Sequence, residues 1–371
     1  MKTSTTRNHF RPVAFFLIAI ALILTIGFAA FGRQTSDNLG NNGNVDTNSD
    51  KADTDTLPQS KPIPTPPQDS QIYVPKYVNY LTGLECNEST SSSKPFVFLM
   101  NSTSPNYGIS SADMIIELPT ETDETRLLAY VTKDKLPTKI GSISPTRGYI
   151  DNLVKYFGGF LISNAKDDFI KYDSYDIKSS YLDLSTKPEY GYTEYTKYLY
   201  TNNELLNSAF SGSDTLTVTE QINIPYSFSE YGATPIKGAS SGVNIVIPYS
   251  DSNETSFTYS EETKNYILSK NGQQKHDLLN DKKVGFKNVF LLFADATTYE
   301  TAKNSEMVLD TVGGGVGIYF TEGTSIPFTW CTDSEGNMTF TTENGEKLTA
   351  NRGTAYVGFM KSSRVLDVTV V

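Results

Sequence analysis

Histidine and cysteine are scarce in this sequence, and their scarcity narrows the chemistry that the chain can perform. The 371 residues include two histidines, His9 and His276, and two cysteines, Cys86 and Cys331. A histidine-based zinc site would need carboxylates or thiols as its other ligands. Neighbouring residues on a strand point to opposite faces, so His276 and Asp277 cannot form a base and its orienting acid for a serine. We therefore expect no metal and no cofactor. The two cysteines fit either one disulfide or two separate thiols.

Basic residues are also fewer than acidic residues in this sequence. The formal net charge is −11, with 42 acidic residues against 31 lysines and arginines. Three of these basic residues, Lys2, Arg7 and Arg11, precede every acidic residue, which leaves the remainder of the chain more acidic still. We expect no bulk electrostatic attraction of such a chain to nucleic acid, to anionic lipids or to anionic wall polymers. The sequence therefore predicts no nucleic-acid partner.

Long apolar runs are lacking except for one near the N-terminus. Residues 13–31 read VAFFLIAIALILTIGFAAF and carry no charge, close to the roughly 20 residues that cross a hydrocarbon core. Basic residues precede the run and acidic residues follow it, which places the N-terminus in the cytoplasm. We expect a cytoplasmic tail at 1–11 and a transmembrane signal-anchor helix at 12–32, hence a single-pass protein of the cell membrane with its later domains outside the cytoplasm. Small residues at the end of the run also fit a signal-peptidase site, so a cleaved signal peptide is the alternative.

The next segment, residues 33–71, is rich in Asn, Asp, Thr, Ser and Pro and has no apolar periodicity. This composition predicts a disordered tether. Short apolar segments then follow, bounded by Gly, Pro, Ser and Asn, and predict strands: FVFLMN at 96–101, ADMIIEL at 112–118, RLLAYVT at 126–132 and FLIS at 160–163.

One helix is predicted between the last two of these segments. Ser144 is a favoured N-cap residue, and Pro145 suits the first helical position. From residue 238 onward, alternating segments with Gly-containing turns predict hairpins. We therefore expect an α+β protein, with an N-terminal α/β domain at 72–237 and a mainly antiparallel β domain at 238–371.

Several ordered motifs resemble those of one family. They are GISSADMIIE (108–117), ETDETRLLAYV (121–131), KIGSISPTRGYI (139–150) and, further on, NGQQKHD, FKNV, GGGVGIYF and ENGEKLTANRGTAYV. Over roughly residues 80–360 the sequence resembles the YerB-like family of bacterial envelope lipoproteins. The resemblance implies an envelope protein with an N-terminal α/β part and a C-terminal β part, in a family whose biochemical role is not established.

The sequence departs from that family pattern at several positions. Relatives carry a lipid-modified cysteine after the signal segment, whereas no cysteine precedes Cys86 here, so that the apolar helix would serve as the anchor. Ser104 and Ser144 stand where the pattern has arginines, while Arg126 and Arg147 remain. A basic site in the relatives would therefore be reduced in this chain.

The catalytic candidates are acidic residues of the first domain. Asp113 and Glu117 would lie on one strand face roughly 13 Å apart, at about 3.3 Å per residue. A glycosidase pair needs roughly 5 to 9.5 Å, so a dyad would have to include Glu121. We name Glu121 and Asp113 as the catalytic candidates.

Arg147 points to a binding site, because the helix macrodipole disfavours a cation in the first turn. Its charge calls for an anionic neighbour, which is either an internal carboxylate (Glu117, Glu121 or Asp151) or a phosphate or carboxylate ligand held by Arg147, the Ser144 hydroxyl and free backbone N–H groups. The binding candidates are Arg126, Arg147, Ser144, Glu117 and Asn101.

The sequence thus favours a non-catalytic envelope module that is attached to the membrane through its N-terminal helix and binds a cell-wall glycan, another wall component or an envelope protein. The alternative is a carboxylate-dependent hydrolase or transferase acting on cell-wall polymer, with Glu121 or Asp113 as the acid or base and Arg126 and Arg147 as an anion clamp. A structural spacer is a third possibility.

Overall fold

The computed structural model describes residues 72–146, 148–164, 181–194, 197–218, 222–300, 305–333 and 335–371. The cytoplasmic tail, the transmembrane helix and the tether predicted for residues 1–71 lie outside these ranges, and so does Arg147. Within them, no helix combines the length and the apolar character needed to cross a membrane.

The described helices are short and few compared with the strands. The helices are α1 (Glu88–Ser91), α2 (Gly148–Phe157) and α3 (Asn203–Ala209), with 3₁₀ turns at Ile109–Ser111, Lys133–Lys135, Pro188–Tyr190 and Ser362–Asp367. The strands of the first half are β1 (Phe96–Asn101), β2 (Met114–Pro119), β3 (Thr125–Val131), β4 (Ile140–Ile143), β5 (Phe160–Ser163), β6 (Tyr181–Asp183), β7 (Tyr192–Thr193), β8 (Leu199–Thr201) and β9 (Ser227–Phe228).

The strands of the second half are β10 (Ser240–Ser241), β11 (Asn244–Ser250), β12 (Asn253–Ser260), β13 (Asn265–Lys270), β14 (Gln273–Gln274), β15 (Gly285–Phe286), β16 (Asn288–Ala294), β17 (Ala296–Glu300), β18 (Ser305–Leu309), β19 (Gly314–Thr321), β20 (Thr324–Thr332), β21 (Met338–Thr341), β22 (Thr349–Ala350), β23 (Ala355–Lys361) and β24 (Thr369–Val370).

A large mixed sheet joins the two halves of the chain. Its strand order is β10-β20-β19-β16-β23-β2-β3-β1-β4-β8-β7, with β21 beside β20 and β5 beside β1. The junction is parallel: β23 pairs with β2 on one side, in the register Met114↔Ala355, and with β16 on the other. A second sheet, with the order β14-β13-β12-β11-β24, comes entirely from the second half.

The α+β class with an N-terminal α/β domain was a wrong prediction, because the fold is mainly β. Strand makes up 44% of the structure and helix 12%. The first strands are connected by turns and pair antiparallel, β2 with β3 and β3 with β1, so they need no helical crossover.

The two faces of the large sheet are covered differently. On one face, Ile115 of β2 lies in a buried cluster with Phe257 of β12, so the second sheet covers this side. On the other face, Leu99 of β1 lies in a second cluster with Leu153 and Phe157 of α2. Because side chains alternate along a strand, each strand supplies residues to both clusters.

Helix α2 begins later than the sequence predicted. Ser144 is not its N-cap, since the helix starts at Gly148. Instead, the Ser144 N–H donates to the carbonyl of Leu99 (2.7 Å), and the Ser144 carbonyl accepts from the N–H of Asn164 (3.0 Å). The backbone of Ser144 is therefore hydrogen-bonded to β1 and to the residue after β5, and Ser144 does not cap α2.

Candidate functional site

Glu117 lies on the face of β2 that the second sheet covers, and it is 1% exposed. Its Oε1 accepts hydrogen bonds from Lys270 Nζ (2.7 Å) and from the Thr125 hydroxyl. Its Oε2 accepts from Thr255 Oγ1 (2.8 Å) and Tyr356 OH (2.5 Å). The four donors come from β13, β3, β12 and β23, so this carboxylate connects both sheets and both halves of the chain.

These partners also determine the ionisation of Glu117. Burial by itself would raise the pKa of the carboxyl group. The charge of Lys270 and the hydrogen bonds from Lys270, Thr125 and Tyr356 outweigh burial and hold the pKa of Glu117 below its ordinary value. Glu117 is therefore an ionised carboxylate at neutral pH, with both oxygens engaged.

Asp113, a catalytic candidate, is fully buried and also has internal partners. It accepts hydrogen bonds from Thr132 Oγ1 (2.9 Å) and Lys135 Nζ (2.5 Å). The other candidate, Glu121, follows β2, whereas Asp113 precedes it. The strand places the two residues roughly 20 Å apart at about 3.3 Å per residue, so Asp113 and Glu121 do not form a catalytic pair.

Asn101 and Arg126 face each other across β1 and β3. Both contact one oxygen of Glu124: the distance to Oε2 is 2.5 Å from Asn101 Nδ2 and 3.3 Å from Arg126 Nη1. The side chain of Arg126 is 16% exposed and that of Glu124 is 44% exposed. This polar group is therefore accessible to solvent, unlike Glu117.

We call Asn101, Glu124 and Arg126 the β1-end site. The Ser144 N–H is bonded to the carbonyl of Leu99, two residues before Asn101 in β1. Arg147, another of the predicted binding residues, lies outside the described residues. The structure thus brings together two of the predicted binding residues, Asn101 and Arg126, while Glu117 occupies the opposite face of the sheet.

Sequence reasoning missed the contribution of the second half of the chain. Lys270, Thr255 and Tyr356 complete the surroundings of Glu117, and Lys275 Nζ reaches the carbonyl of Ser102 (3.4 Å), just after β1. The only signal for Lys275 was its place in the NGQQKHD motif. Nothing in the local pattern indicated that this motif meets the end of β1.

His276 and Asp277, which follow Lys275, have separate partners. Asp277 is fully buried and accepts from the N–H groups of Gly108 (2.8 Å), Ser110 (2.9 Å) and Leu279 (2.9 Å), and from Ser110 Oγ (2.6 Å). His276 Nδ1 lies 3.0 Å from the carbonyl oxygen of Asp281. Asp277 therefore fastens the 275–281 turn to the loop before β2 and does not orient His276.

The structure also shows how the potential metal ligands and the two thiols are placed. In the ranges covered by the structure, no three His, Cys, Asp or Glu side chains are grouped so that they could hold a metal ion. Cys86 and Cys331 are free thiols, the first partly buried and the second exposed. Of the two alternatives for the cysteines, the structure contains the separate thiols.

Comparisons with known proteins give a family and a related fold. A family model described as "Protein of unknown function (DUF3048) N-terminal domain" matches residues 81–213, and its C-terminal counterpart matches residues 245–357. "Putative lipoprotein YerB" of Bacillus subtilis (strain 168) is 23% identical over 269 residues, which are 67% of this chain and 76% of the relative. The crystal structure of YerB protein from Bacillus subtilis matches with a TM-score of 0.65 at 20% identity, over 80% of this chain and 100% of that one.

These findings correct the localisation predicted from the sequence. The single-pass arrangement predicted for the chain is contradicted by the comparison in which the Bacillus relative is named as a lipoprotein. Among the described residues, no helix is long and apolar enough to cross a membrane. The segment at 12–32, on which the prediction depended, lies outside the described residues.

Proposed function

Because this chain belongs to the DUF3048 family, whose N- and C-terminal models match residues 81–213 and 245–357, we propose that it works in the bacterial cell envelope by binding a wall component or a partner protein. Its homology to a protein named as a lipoprotein supports the envelope setting. The observation that carries the proposal is the contrast between Glu117, which has internal donors on both oxygens, and the accessible β1-end site.

The β1-end site has the chemistry of a recognition surface. Arg126 is partly exposed and presents a planar set of N–H donors, which suits carboxylate and phosphate groups. Asn101 supplies an amide directly opposite Arg126 on the neighbouring strand. Glu124 occupies one Arg126 nitrogen through a contact of 3.3 Å in a half-exposed setting, where an ion pair contributes little. A ligand anion would therefore compete with Glu124 for Arg126 and for the Asn101 amide, which donates to Glu124 Oε2 at 2.5 Å.

The acidic residues favour binding over catalysis. A general acid or base needs an oxygen within hydrogen-bond reach of the substrate. Both oxygens of Glu117 already accept two hydrogen bonds each, and those of Asp113 accept from Thr132 and Lys135. A hydrolase would have to depend on Glu121 without either of these carboxylates.

Binding of the full-length chain to purified cell-wall material, measured by co-sedimentation, tests the proposal, with capture of envelope proteins as a parallel assay. We expect Arg126→Ala to weaken binding about tenfold or more, the effect of losing a hydrogen bond to a charged group. Arg364→Ala is the matched control, because Arg364 is also a partly exposed arginine and pairs with Asp251 and Asp367 on the surface.

Two results would contradict the proposal. The first is a parent chain that retains neither wall material nor any envelope protein. The second is turnover of wall polymer that Glu121→Gln abolishes, which would establish the hydrolase or transferase alternative.

A further inference from the structure

Lys275 follows β14 in sequence, and its partly buried ammonium group reaches the turn that follows β1. Its Nζ donates to the carbonyl of Ser102 at 3.4 Å, a long contact for an ammonium group. The neighbouring Lys270 has much closer partners, Glu117 Oε1 at 2.7 Å and Thr255 Oγ1 at 2.8 Å. The two lysines therefore differ sharply in how well their charge is compensated.

The nearby carboxylates are committed to other groups. Glu117 accepts from Lys270 and three hydroxyl groups, and Asp277 accepts from three backbone N–H groups and the hydroxyl of Ser110. Among the residues that the structure describes, no carboxylate lies within ion-pair distance of Lys275 Nζ. The cluster of Lys270, Lys275 and Glu117 consequently carries an excess positive charge within an acidic chain.

That excess charge is unfavourable in the structure as it stands. Burial, and then the charge of Lys270, lower the pKa of Lys275, and the more distant charges of Glu117 and Asp277 only partly oppose this shift. A buried or half-buried cation without an anion costs free energy. An anion beside Nζ would remove this cost.

The side chain of Asn106, at the same turn, also contains a polar atom without a hydrogen-bond partner among the described residues. Asn106 is fully buried, and its Nδ2 donates to the carbonyl of Asn101 at 3.1 Å. Its Oδ1 is buried without a hydrogen-bond partner among the described residues. Because Oδ1 is a hydrogen-bond acceptor, it cannot itself hold an anion, and a ligand that satisfies it would carry a hydroxyl or N–H donor beside its anionic oxygen.

We propose that Lys275 binds an anionic oxygen group of a ligand, a carboxylate or a phosphate, at the turn that follows β1. The inference rests on the proposed binding function, for which it names the chemistry of the ligand. Carboxylate and phosphate present the same feature to an ammonium group, namely an anionic oxygen acceptor. The second half of the family fold would thereby supply the cation of this anion site.

The test uses the full-length chain labelled with ¹³C at the lysine ε-carbons, because the shift of this carbon reports the ionisation of each lysine. Lys275→Gln identifies the signal of Lys275. The chain is titrated with sodium acetate in one arm and with inorganic phosphate in the other, at constant ionic strength. We expect one of the two anions to shift the Lys275 signal saturably and to raise the pH midpoint of its titration, and the arm that does so identifies the anion.

Affinity for that anion should fall at least tenfold in Lys275→Gln and be retained within a few fold in Lys275→Arg, which keeps the charge. Lys282→Gln is the matched control, because Lys282 is an exposed lysine of the same turn, and it should bind the anion like the parent. The inference is overturned if neither anion perturbs Lys275, or if Lys275→Gln binds the anion as tightly as the parent.

These outcomes are separable from failure of the proposed function. Anion binding at Lys275 in a chain that retains no wall material or partner would leave the site in place and refute the envelope-binding proposal. Retention of wall material without any response of Lys275 would refute the anion site alone.

Discussion

Replacing Glu117 by glutamine should destabilise the protein strongly, because it removes one charge from a buried ion pair while keeping the size of the side chain. The side chain of Glu117 is 2% exposed and that of Lys270 is 13% exposed. In Glu117→Gln, the Lys270 ammonium keeps its burial but loses its counter-ion. Breaking a buried pair in this way costs about 3–5 kcal/mol, a large part of the roughly 5–15 kcal/mol that stabilises a typical domain.

The effect should depend on pH in a defined direction. The pKa of Glu117 is lower in the folded chain than its ordinary value, which is about 4.3 in an unfolded chain. The stabilisation by the ionised form is therefore fully present above about pH 5 and is lost as the pH falls through the folded pKa. The difference between parent and Glu117→Gln should be constant near neutral pH and should narrow below about pH 4.

Urea unfolding at several pH values measures this difference. Trp330 is the single tryptophan of the chain, is 2% exposed and donates through Nε1 to the carbonyl of Phe293 (3.2 Å), so its fluorescence reports unfolding of the large sheet. Glu261→Gln is the control, since Glu261 pairs with Lys264 on an exposed turn, and it should change stability little. A loss below about 1 kcal/mol for Glu117→Gln at pH 7, a value typical of an average substitution, would refute the reasoning.

Three further substitutions or reactions test other parts of the structure. Gly108→Ala should destabilise the protein by more than about 2 kcal/mol in urea unfolding, because the φ of +74° is unfavourable for alanine and the new Cβ would lie 2.6 Å from a backbone oxygen. Gly272→Ala is the control, since Gly272 has a similar φ of +73° but open space around it. It should lose only about 1 kcal/mol. Asp277→Asn should cost about 1–3 kcal/mol and speed amide exchange at Gly108, whose N–H donates to Asp277; unchanged exchange would contradict this role. A thiol reagent should titrate two thiols without reductant, and Cys331 should react faster than Cys86. Cys331 is exposed, whereas burial and the nearby charge of Asp134 raise the pKa of the Cys86 thiol. A chain without titratable thiol would indicate a disulfide.

Local patterns in the sequence were sufficient to find many of the strands. FVFLMN and FLIS are strands over the predicted residues, as β1 (Phe96–Asn101) and β5 (Phe160–Ser163). Ile150, Leu153 and Phe157 are three and four residues apart in the sequence, a spacing that places them on one helix face, and all three are buried in α2. These features depend on neighbours within a few residues, which a single sequence displays directly.

The site was harder to predict, because its contacts join residues that are far apart in the sequence. Asn101 and Arg126 were named individually, but their shared contact with Glu124 depends on the pairing of β1 with β3. Ser144 was expected to cap a helix, yet its backbone is bonded to β1. The hydrogen bonds of a backbone group depend on which strand end lies beside it, and periodicity does not report this.

The sequence by itself determined the short strands, the single stripe of α2, the acidic balance and the family resemblance that the comparisons confirmed, because each is carried by residue types and their spacing along the chain. Only the tertiary structure decided that β2 pairs in parallel with β23 and that Lys270, 153 residues from Glu117 in sequence, neutralises it. The same long-range pairing made the fold mainly β and placed Lys275 at the end of β1. Such contacts arise when distant segments bury their faces together, and the free energy of that packing is not encoded in any one segment.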